Sequence, residues 1–591
     1  MTNQLVIHDA QLKQWFRFRE PEQIVRAFRL DQVVPSLELV ELMVREHKMY
    51  AAGFISYEAS PAFDTALHTH SLSSFPLLWF GLYKKAEIIQ LPAPAQDSDN
   101  TLNWSASVSR EEYDQAIATI KEHIARGETY QVNYTMRLHT PFSGNPWELF
   151  LKLVRSQQAD YAAYVDLDQF AICSASPELF FRFSGNHLTL RPMKGTVARG
   201  YTLSEDNAMA EWLHHSEKNR AENVMIVDMI RNDMGRVADI NSVQVPSLFD
   251  VEQYPTLWQM TSTVTATTSA CLGDIMAALF PCASITGAPK PRTMEIIRNL
   301  EKTPRGMYTG CIGFISPKRQ AQFNVAIRTV VIDKTTNQAE YGVGSGIVWD
   351  SLSSNEYTEC QLKTRVLTTN RPDFCLLETM LWEPDHGYFL LSYHLKRLQD
   401  SALYFCIPVD IEQVHKKLEA LANSLPTQSY KVRLLVAQDG NLACESTLLC
   451  CNAASQPVSL SLSSTPVDSS NPFLYHKTTE RQVYNRALAS CPNYDDVLLW
   501  NERGEITETC IANVIVQING ELLTPPVQCG VLAGTFRAYL LAQGKVREEI
   551  ITVEALKQCE RIYRVNSVQK WREAVLVTPD QSLSNSQQKL C

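Results

Sequence analysis

The strand and helix signals that fill the longer, first part of the chain stop at Thr368-Thr369-Asn370-Arg371-Pro372 and start afresh at Phe374-Cys375-Leu376-Leu377-Glu378-Thr379. With 591 residues, the chain is too long for a single hydrophobic core. The break therefore predicts two folding units, 1–368 and 372–591; within the first, 1–100 alternates short apolar runs with turns ahead of 101–368. A helix is predicted after Ser109, a good N-cap with Glu111 and Glu112 in the first turn and Ile117, Ile120 and Ile124 on one face. It ends near Gly127. Strand-like runs follow near 161–166, 170–174 and 179–183, then a long helix near 217–231. Further strands are predicted near 307–315, 322–332 and 339–348, and a last helix after Ser354. Long strands without regular strand–helix alternation make the class α+β, layered sheets with surrounding helices. The stretch Leu91–Asn100 reads as a surface loop or joint, and a polar tail follows Pro579.

The net charge of -10 argues against nucleic acid or an anionic membrane as the main partner. The start, Met1 to Ala10, lacks the form of a signal peptide, and no apolar run of about 20 residues suggests a membrane span. The fifteen cysteines are scattered, without a CxxC pair or metal-type spacing, and read as reduced thiols of a cytoplasmic protein. Cys311, in Thr309-Gly310-Cys311-Ile312-Gly313, sits in an apolar strand-like run and reads as inert core.

Several segments carry chemistry. Lys194 stands in Arg191-Pro192-Met193-Lys194-Gly195-Thr196, after Ser176-Pro177-Glu178: an amine that could act as nucleophile and a carboxyl that could donate a proton. A structural salt bridge is the other reading of Lys194. In Glu356-Tyr357-Thr358-Glu359-Cys360-Gln361-Leu362-Lys363 the charges share one helix face. Glu222 lies near the start of the long helix. Carboxylates from two helices, with few nitrogen or sulfur ligands nearby, suit Mg2+, or are solvated faces with surface ion pairs.

Taken together, these segments resemble the chorismate-utilising enzyme family over about residues 100–368. The resemblance runs through Gln131-Val132-Asn133, Ser176-Pro177-Glu178, Lys194-Gly195-Thr196, Ala221-Glu222-Asn223, Arg231-Asn232-Asp233-Met234-Gly235-Arg236 and Ile285-Thr286-Gly287-Ala288-Pro289-Lys290. It continues through Phe323-Asn324-Val325-Ala326-Ile327-Arg328-Thr329 and Gly342-Val343-Gly344-Ser345-Gly346 to the Glu356/Glu359/Lys363 face. It implies chorismate as substrate and Mg2+ on Glu222 and Glu359, with Glu356 nearby. Arg328 would fork onto a substrate carboxylate, and Tyr308, Thr286 and Lys363 would line the pocket. Gly344 and Gly346 would bring backbone N–H groups close to a carboxylate. Anthranilate and isochorismate synthases carry a small residue where Lys194 stands, and aminodeoxychorismate synthases carry lysine. Lys194 would then attack ring carbon 2 while Glu178 protonates the departing hydroxyl. Gln259 departs from the pattern, since many relatives have histidine there. No Gly-x-Cys-x-Gly elbow is found, so ammonia is expected from a separate glutaminase subunit, or free in solution.

The second unit resembles the fold type IV pyridoxal-phosphate family. The matching residues are His394-Leu395-Lys396-Arg397-Leu398, Tyr475-His476-Lys477-Thr478-Thr479, Glu508 in Ile506-Thr507-Glu508-Thr509, and Gly530-Val531-Leu532-Ala533-Gly534-Thr535. The resemblance implies pyridoxal 5'-phosphate on Lys477, Glu508 at the ring nitrogen, and Gly534, Thr535 and Arg397 at the phosphate. The lead-in strand of relatives is missing here. Association of copies through this unit stays open. Jointly, the halves imply amination of chorismate to 4-amino-4-deoxychorismate, then elimination of pyruvate to 4-aminobenzoate. The rivals are anthranilate formation with an aminotransferase-like passenger, a non-catalytic docking module, and a D-amino-acid or branched-chain transaminase.

Overall fold

In Tyr50–Ile55 and Cys311–Ser316 nearly every side chain is buried, because neighbouring residues point to different faces of the strand. Phe54, Ile312 and Phe314 join one apolar cluster with Leu5, Phe18 and Val165. Their neighbours Ile55, Cys311 and Ile315 join another, with Val40, Ile226 and Ile275. Strands covered on both faces read as continuous apolar runs. Here the covering comes from a second sheet on one side and helices on the other.

The computed structural model describes residues 3–72, 74–94, 102–368, 372–449 and 456–577. Ala95–Asn100 of the loose stretch, Thr369–Arg371 of the break and the tail after Pro579 lie outside the described residues. The chain divides into two compact units, Met1–Arg199 with Met209–Arg371, and Gly200–Ala208 with Pro372–Cys591.

The first unit holds two ten-stranded sheets of antiparallel pairs. One runs Gly287–Ala288, Gln131–Pro141, Gln338–Ile347, Thr329–Asp333, Phe170–Ser176, Tyr161–Asp166, Gln4–Asp9, Gln14–Phe18, Glu87–Ile89, with Ser105–Ala106 beside Gln131–Pro141. The other runs Met193–Ala198, Leu257–Thr267, His187–Arg191, Leu179–Ser184, Gln320–Val325, Cys311–Ser316, Tyr50–Ile55, Leu78–Tyr83, Gln23–Ala27, with Gln244–Gln253 beside Leu257–Thr267. Their facing sides share one core. Helices Leu30–Glu46, Glu217–Gly235 and Leu272–Leu279 cover the outer face of the second sheet. Arg110–Ala125 and Pro146–Gln157 cover that of the first.

The predicted helix after Ser109 is Arg110–Ala125. The Ser109 hydroxyl accepts from Glu112 N at 3.2 Å, and the Glu112 carboxylate accepts from Ser109 N at 2.8 Å, a reciprocal cap. The single strand expected near 322–332 is two strands, Gln320–Val325 and Thr329–Asp333, in different sheets. The chain crosses between sheets at Ala326-Ile327-Arg328, where Arg328 takes a left-handed φ of 51°. Both strands are largely buried, and the Ala-Ile-Arg between them holds no Gly, Pro, Asn or Asp to signal a turn.

In the second unit, strands Gly387–Tyr388, Leu376–Glu383, Tyr430–Val436 and Leu442–Leu448 form a small sheet. Helices Leu391–Phe405 and Ile411–Ser424 pack on one of its faces through Leu398, Val414, Val432 and Leu434. A larger sheet runs Ile506–Thr509, Asp496–Trp500, Val458–Leu462, Lys570–Leu576, Arg561–Asn566, Asn513–Ile518, Glu521–Thr524, Arg547–Glu548. A further pairing of Glu508 with Asn513 returns the order on itself and closes six of these strands into a ring. The class is α+β in both units. No helix among the described residues is long and apolar enough to cross a membrane.

Candidate active sites

Lys194 sits on a bulge. Met193 pairs with Thr261 and Thr196 with Gln259, so this strand advances one residue more than its partner, which bends the strand and re-aims a side chain. Gly195 takes the left-handed φ of 90° that the bulge requires. Gln259 grips the bulge from both sides: its Nε2 donates to Gly195 O at 2.8 Å, and the Thr196 hydroxyl donates to its Oε1 at 3.2 Å. Gln259 is thus a brace for the Lys194 strand.

The cavity into which Lys194 points also receives Glu178, Ser284, Arg328, Tyr308, Glu222, Glu356, Glu359 and Lys363. A Cβ on Gly346 would stand 2.9 Å from Lys194 Nζ and 2.3 Å from Gln131 Nε2, so only glycine leaves room for the amine. Gly344 meets a side chain through its carbonyl, which accepts from Lys363 Nζ at 2.9 Å. The glycine run was expected to offer its N–H groups; what it supplies here is clearance at Gly346 and a carbonyl acceptor at Gly344.

Burial pushes the Lys194 amine below its ordinary pKa; the Glu222 carboxylate opposes the fall and Lys363 adds to it. Glu178 is 2% exposed, and burial pushes its carboxyl up to about 7 against the pull of Ser284 and Lys194. The Ser284 hydroxyl donates to Glu178 Oε1 at 2.6 Å. A buried carboxyl near 7 and a depressed amine in one cavity are what acid and nucleophile roles need at neutral pH. Ser284 was not singled out from the sequence, although it stands one residue before the quoted Ile285-Thr286 motif.

Each acidic residue expected at a metal faces a lysine. Glu359 lies 2.6 Å from Lys363, Glu356 3.4 Å from Lys218, and Glu222 4.0 Å from Lys218. Burial pushes Glu222 up to about 7, with Glu359 and Glu356 adding repulsion. Burial acts the same way on Glu359, yet Lys363 holds it below the usual value. Among the described residues, no three His, Cys, Asp or Glu side chains stand together ready to hold a metal. The donors that share the cavity are carboxylate oxygens, the class Mg2+ prefers, and their mutual repulsion is the kind a cation relieves.

Arg328 is buried, and its Nη1 donates to Gln157 Oε1 at 3.1 Å. The Tyr308 ring lies 5.2 Å from the Arg137 guanidinium. Thr286 stands apart from the cavity lining: its hydroxyl turns to the carbonyls of Cys282 and Ala283 at 3.2 and 3.3 Å. Cys311 is 1% exposed, and burial pushes its thiol far up, as inert core requires.

The second site lies within the second unit, where the ring's closure meets the small sheet. Lys477 is held by its backbone, whose carbonyl accepts from Leu377 N at 2.9 Å. Burial, with the Arg397 charge, pushes its amine down to about 8. Glu508 is buried and pushed up to about 7. Its oxygens accept from Tyr484 OH at 2.8 Å and Asn513 Nδ2 at 2.9 Å. A buried carboxyl held only by neutral donors suits a basic ring nitrogen as its further partner. Asn513 Nδ2 also donates to Leu532 O at 2.9 Å. A Cβ on Gly534 would fall 1.8 Å from Asn513 Oδ1, so the loop can approach only with glycine there. Gly534 caps the helix Thr535–Ala542, whose first N–H groups favour an anion. Arg397 donates to Ala533 O at 3.1 Å and to both Glu378 oxygens at 2.9 and 2.7 Å. Burial opposes charge on Glu378, but Arg397 and His394 hold it down at about 2. The chain's own residues therefore fit pyridoxal phosphate: an amine, an acid and an anion cradle in one cavity. Tyr484 and Asn513, which hold Glu508, were not singled out from the sequence.

The chorismate binding enzyme family matches residues 2–369. The chain belongs to that family. Class IV amino-transferases match residues 375–577, so a chorismate-binding unit is fused to a class IV unit. Aminodeoxychorismate synthase component 1 of Escherichia coli K12 is 40% identical over 269 residues, 45% of this chain and 59% of that protein. The Bacillus subtilis protein of the same name is 40% identical over 259 residues, 44% of this chain and 55% of the relative. An anthranilate synthase component 1 from Haloarcula marismortui is 37% identical over 276 residues, covering 46% of this chain and 56% of its own. The chain thus spans less than two thirds of these relatives' length. The crystal structure of anthranilate synthase component I from Streptococcus pneumoniae superposes with a TM-score of 0.52 at 23% identity, covering 62% of this chain and 93% of that one. That likeness is one of fold.

Proposed function

We propose that the first unit aminates chorismate at ring carbon 4, giving 4-amino-4-deoxychorismate, and that the second eliminates pyruvate from it, giving 4-aminobenzoate. The observation that carries the reading is Lys194 on its braced bulge, in one cavity with a buried Glu178 titrating near 7. Anthranilate chemistry has no use for an amine there.

Lys194 Nζ attacks ring carbon 2. Both ring double bonds shift, from C1=C2 and C5=C6 to C1=C6 and C4=C5, and the hydroxyl on carbon 4 leaves as water with the Glu178 proton. Ammonia then attacks carbon 4, the electron pair returns, and the lysine is expelled. Arg328 holds a carboxylate of the substrate. Glu222 and Glu359, with Glu356 beside them, would hold Mg2+, which would neutralise the ring carboxylate. Ammonia would come from a separate glutamine amidotransferase subunit.

In the second unit, pyridoxal phosphate would serve as an electron sink, with Lys477 at its aldehyde, Glu508 at its ring nitrogen, and Gly534, Thr535 and Arg397 at its phosphate. The Lys477 amine, pushed down to about 8 and so partly neutral around that pH, takes the proton from carbon 4 of the substrate. The bond from carbon 3 to the enolpyruvyl oxygen breaks, the pair leaves on oxygen, and the ring becomes aromatic.

Product analysis of purified protein given chorismate, ammonium, Mg2+ and pyridoxal phosphate tests the reading. Lys477→Ala is expected to halt at 4-amino-4-deoxychorismate, and Lys194→Ala to leave chorismate unaminated at carbon 4. Full conversion to 4-aminobenzoate by Lys477→Ala would overturn the second half.

A further inference from the structure

The second site holds more positive charge than its cofactor needs. Arg397 and Lys477 are engaged as described, and Arg481 donates to Cys510 O at 2.5 Å with its guanidinium 4.8 Å from the Tyr484 ring. The opposite wall is the strand Tyr430–Val436. Its Val432, Leu434 and Val436 enter the core beneath the helices. Period two therefore turns Lys431 and Arg433 to the other face, where both line the cavity with Thr379, which pairs directly with Arg433. Two long cationic side chains on a half-buried strand face are unusual, since Lys is depleted in strands. Arg433 carries a counterion, Glu445, at 2.8 Å, but that carboxylate is 55% exposed. Such a pair is worth under about 1 kcal/mol and yields to a better-placed anion.

A substrate arriving here from the first site would bring one amine and two carboxylates. The amine belongs at Lys477, and the cradle of Gly534 and Thr535 is taken by a phosphate. We propose that Lys431 and Arg433 form the wall that binds the substrate's carboxylates, making this unit selective for a dicarboxylate ring amine over simple amino acids. The inference rests on the lyase reading. Two residues apart on one face, their Cα atoms stand about 6.5 Å apart along the strand, within reach of two carboxylates on one ring.

The test uses full-length holoprotein with Lys431→Met, Arg433→Met, the double variant and the charge-keeping Arg433→Lys, each checked for the bound cofactor's absorption band. With 4-amino-4-deoxychorismate supplied directly, each methionine variant is expected to raise KM about tenfold or more while kcat changes little, since a bond to a charged group is worth about 1.5–3 kcal/mol. Arg433→Lys recovers most of the loss. In parallel, isophthalate, a dicarboxylate probe, is titrated against the cofactor band, with benzoate as the monocarboxylate control. The wild type should bind isophthalate more tightly than benzoate, and the double variant should lose that preference. If the wild type fails to consume 4-amino-4-deoxychorismate, the lyase reading falls, and the isophthalate titration still judges the wall. An unchanged KM in the double variant, or equal binding of isophthalate by the double variant and the wild type, overturns the inference.

Discussion

Removing the Ser284 hydroxyl is expected to move the alkaline limb of the amination reaction upward. Glu178 titrates near 7 because burial raises it while Ser284, 2.6 Å away, and the Lys194 charge lower it. The serine stabilises the carboxylate form, so its loss favours the protonated acid. A hydrogen bond to a charged group is worth about 1.5–3 kcal/mol, and 1.36 kcal/mol corresponds to one pH unit. Ser284→Ala should therefore shift the loss of kcat/KM for chorismate to higher pH by roughly one to two units. The assay is an initial-rate series across pH with free ammonia held constant, using Lys477→Ala so that amination is read alone. Ser284→Thr keeps a hydroxyl and should leave the limb in place. A Ser284→Ala limb that stays put or moves down would refute the assignment of Glu178 as the acid.

Chelation with EDTA should abolish amination, and added Mg2+ should restore it, while supplied 4-amino-4-deoxychorismate is still converted; parallel loss of both rates would place the metal elsewhere. Glu378→Gln should destabilise the second unit by about 1.5–3 kcal/mol, because it neutralises a buried carboxylate that accepts from Arg397 and faces His394. It is read as a fall in that unit's melting transition. Glu378 is held at about 2, below its unfolded value near 4.3. Its contribution is thus complete above pH 4.3 and is lost as pH falls towards 2, so the wild-type and Glu378→Gln melting points should converge over that window. Cys311→Ala should keep activity within about twofold and cost about 1–2 kcal/mol; loss of amination would mark the thiol as part of the chemistry.

The α+β class and the family were legible because the site lies on ordered local signals. The Ser109 cap, the carboxylate face of Ser353–Thr364 and the Lys194 box each declare themselves within a few residues. What escaped was non-local. The switch of sheet at Ala326-Ile327-Arg328 is hidden because both flanking strands are largely buried and no Gly, Pro, Asn or Asp stands between them. Ser284 acts on Glu178 across 106 residues of chain, and Asn513 acts on Glu508 through a strand pairing that closes a ring. Neither carries a sequence period. Gly200–Ala208 belongs to the second compact unit although it follows the Lys194 strand, and its composition gives no hint of that. The role of Gln259 became legible only once the bulge it braces was in view.

The central claim is that nitrogen enters at carbon 4. Incubating the protein with chorismate, isotopically labelled ammonium, Mg2+ and pyridoxal phosphate, and then locating the label on the aromatic product by NMR, tests it most directly. Label is expected in 4-aminobenzoate with an equal amount of pyruvate, and none after Lys194→Ala. Label in 2-aminobenzoate would contradict it.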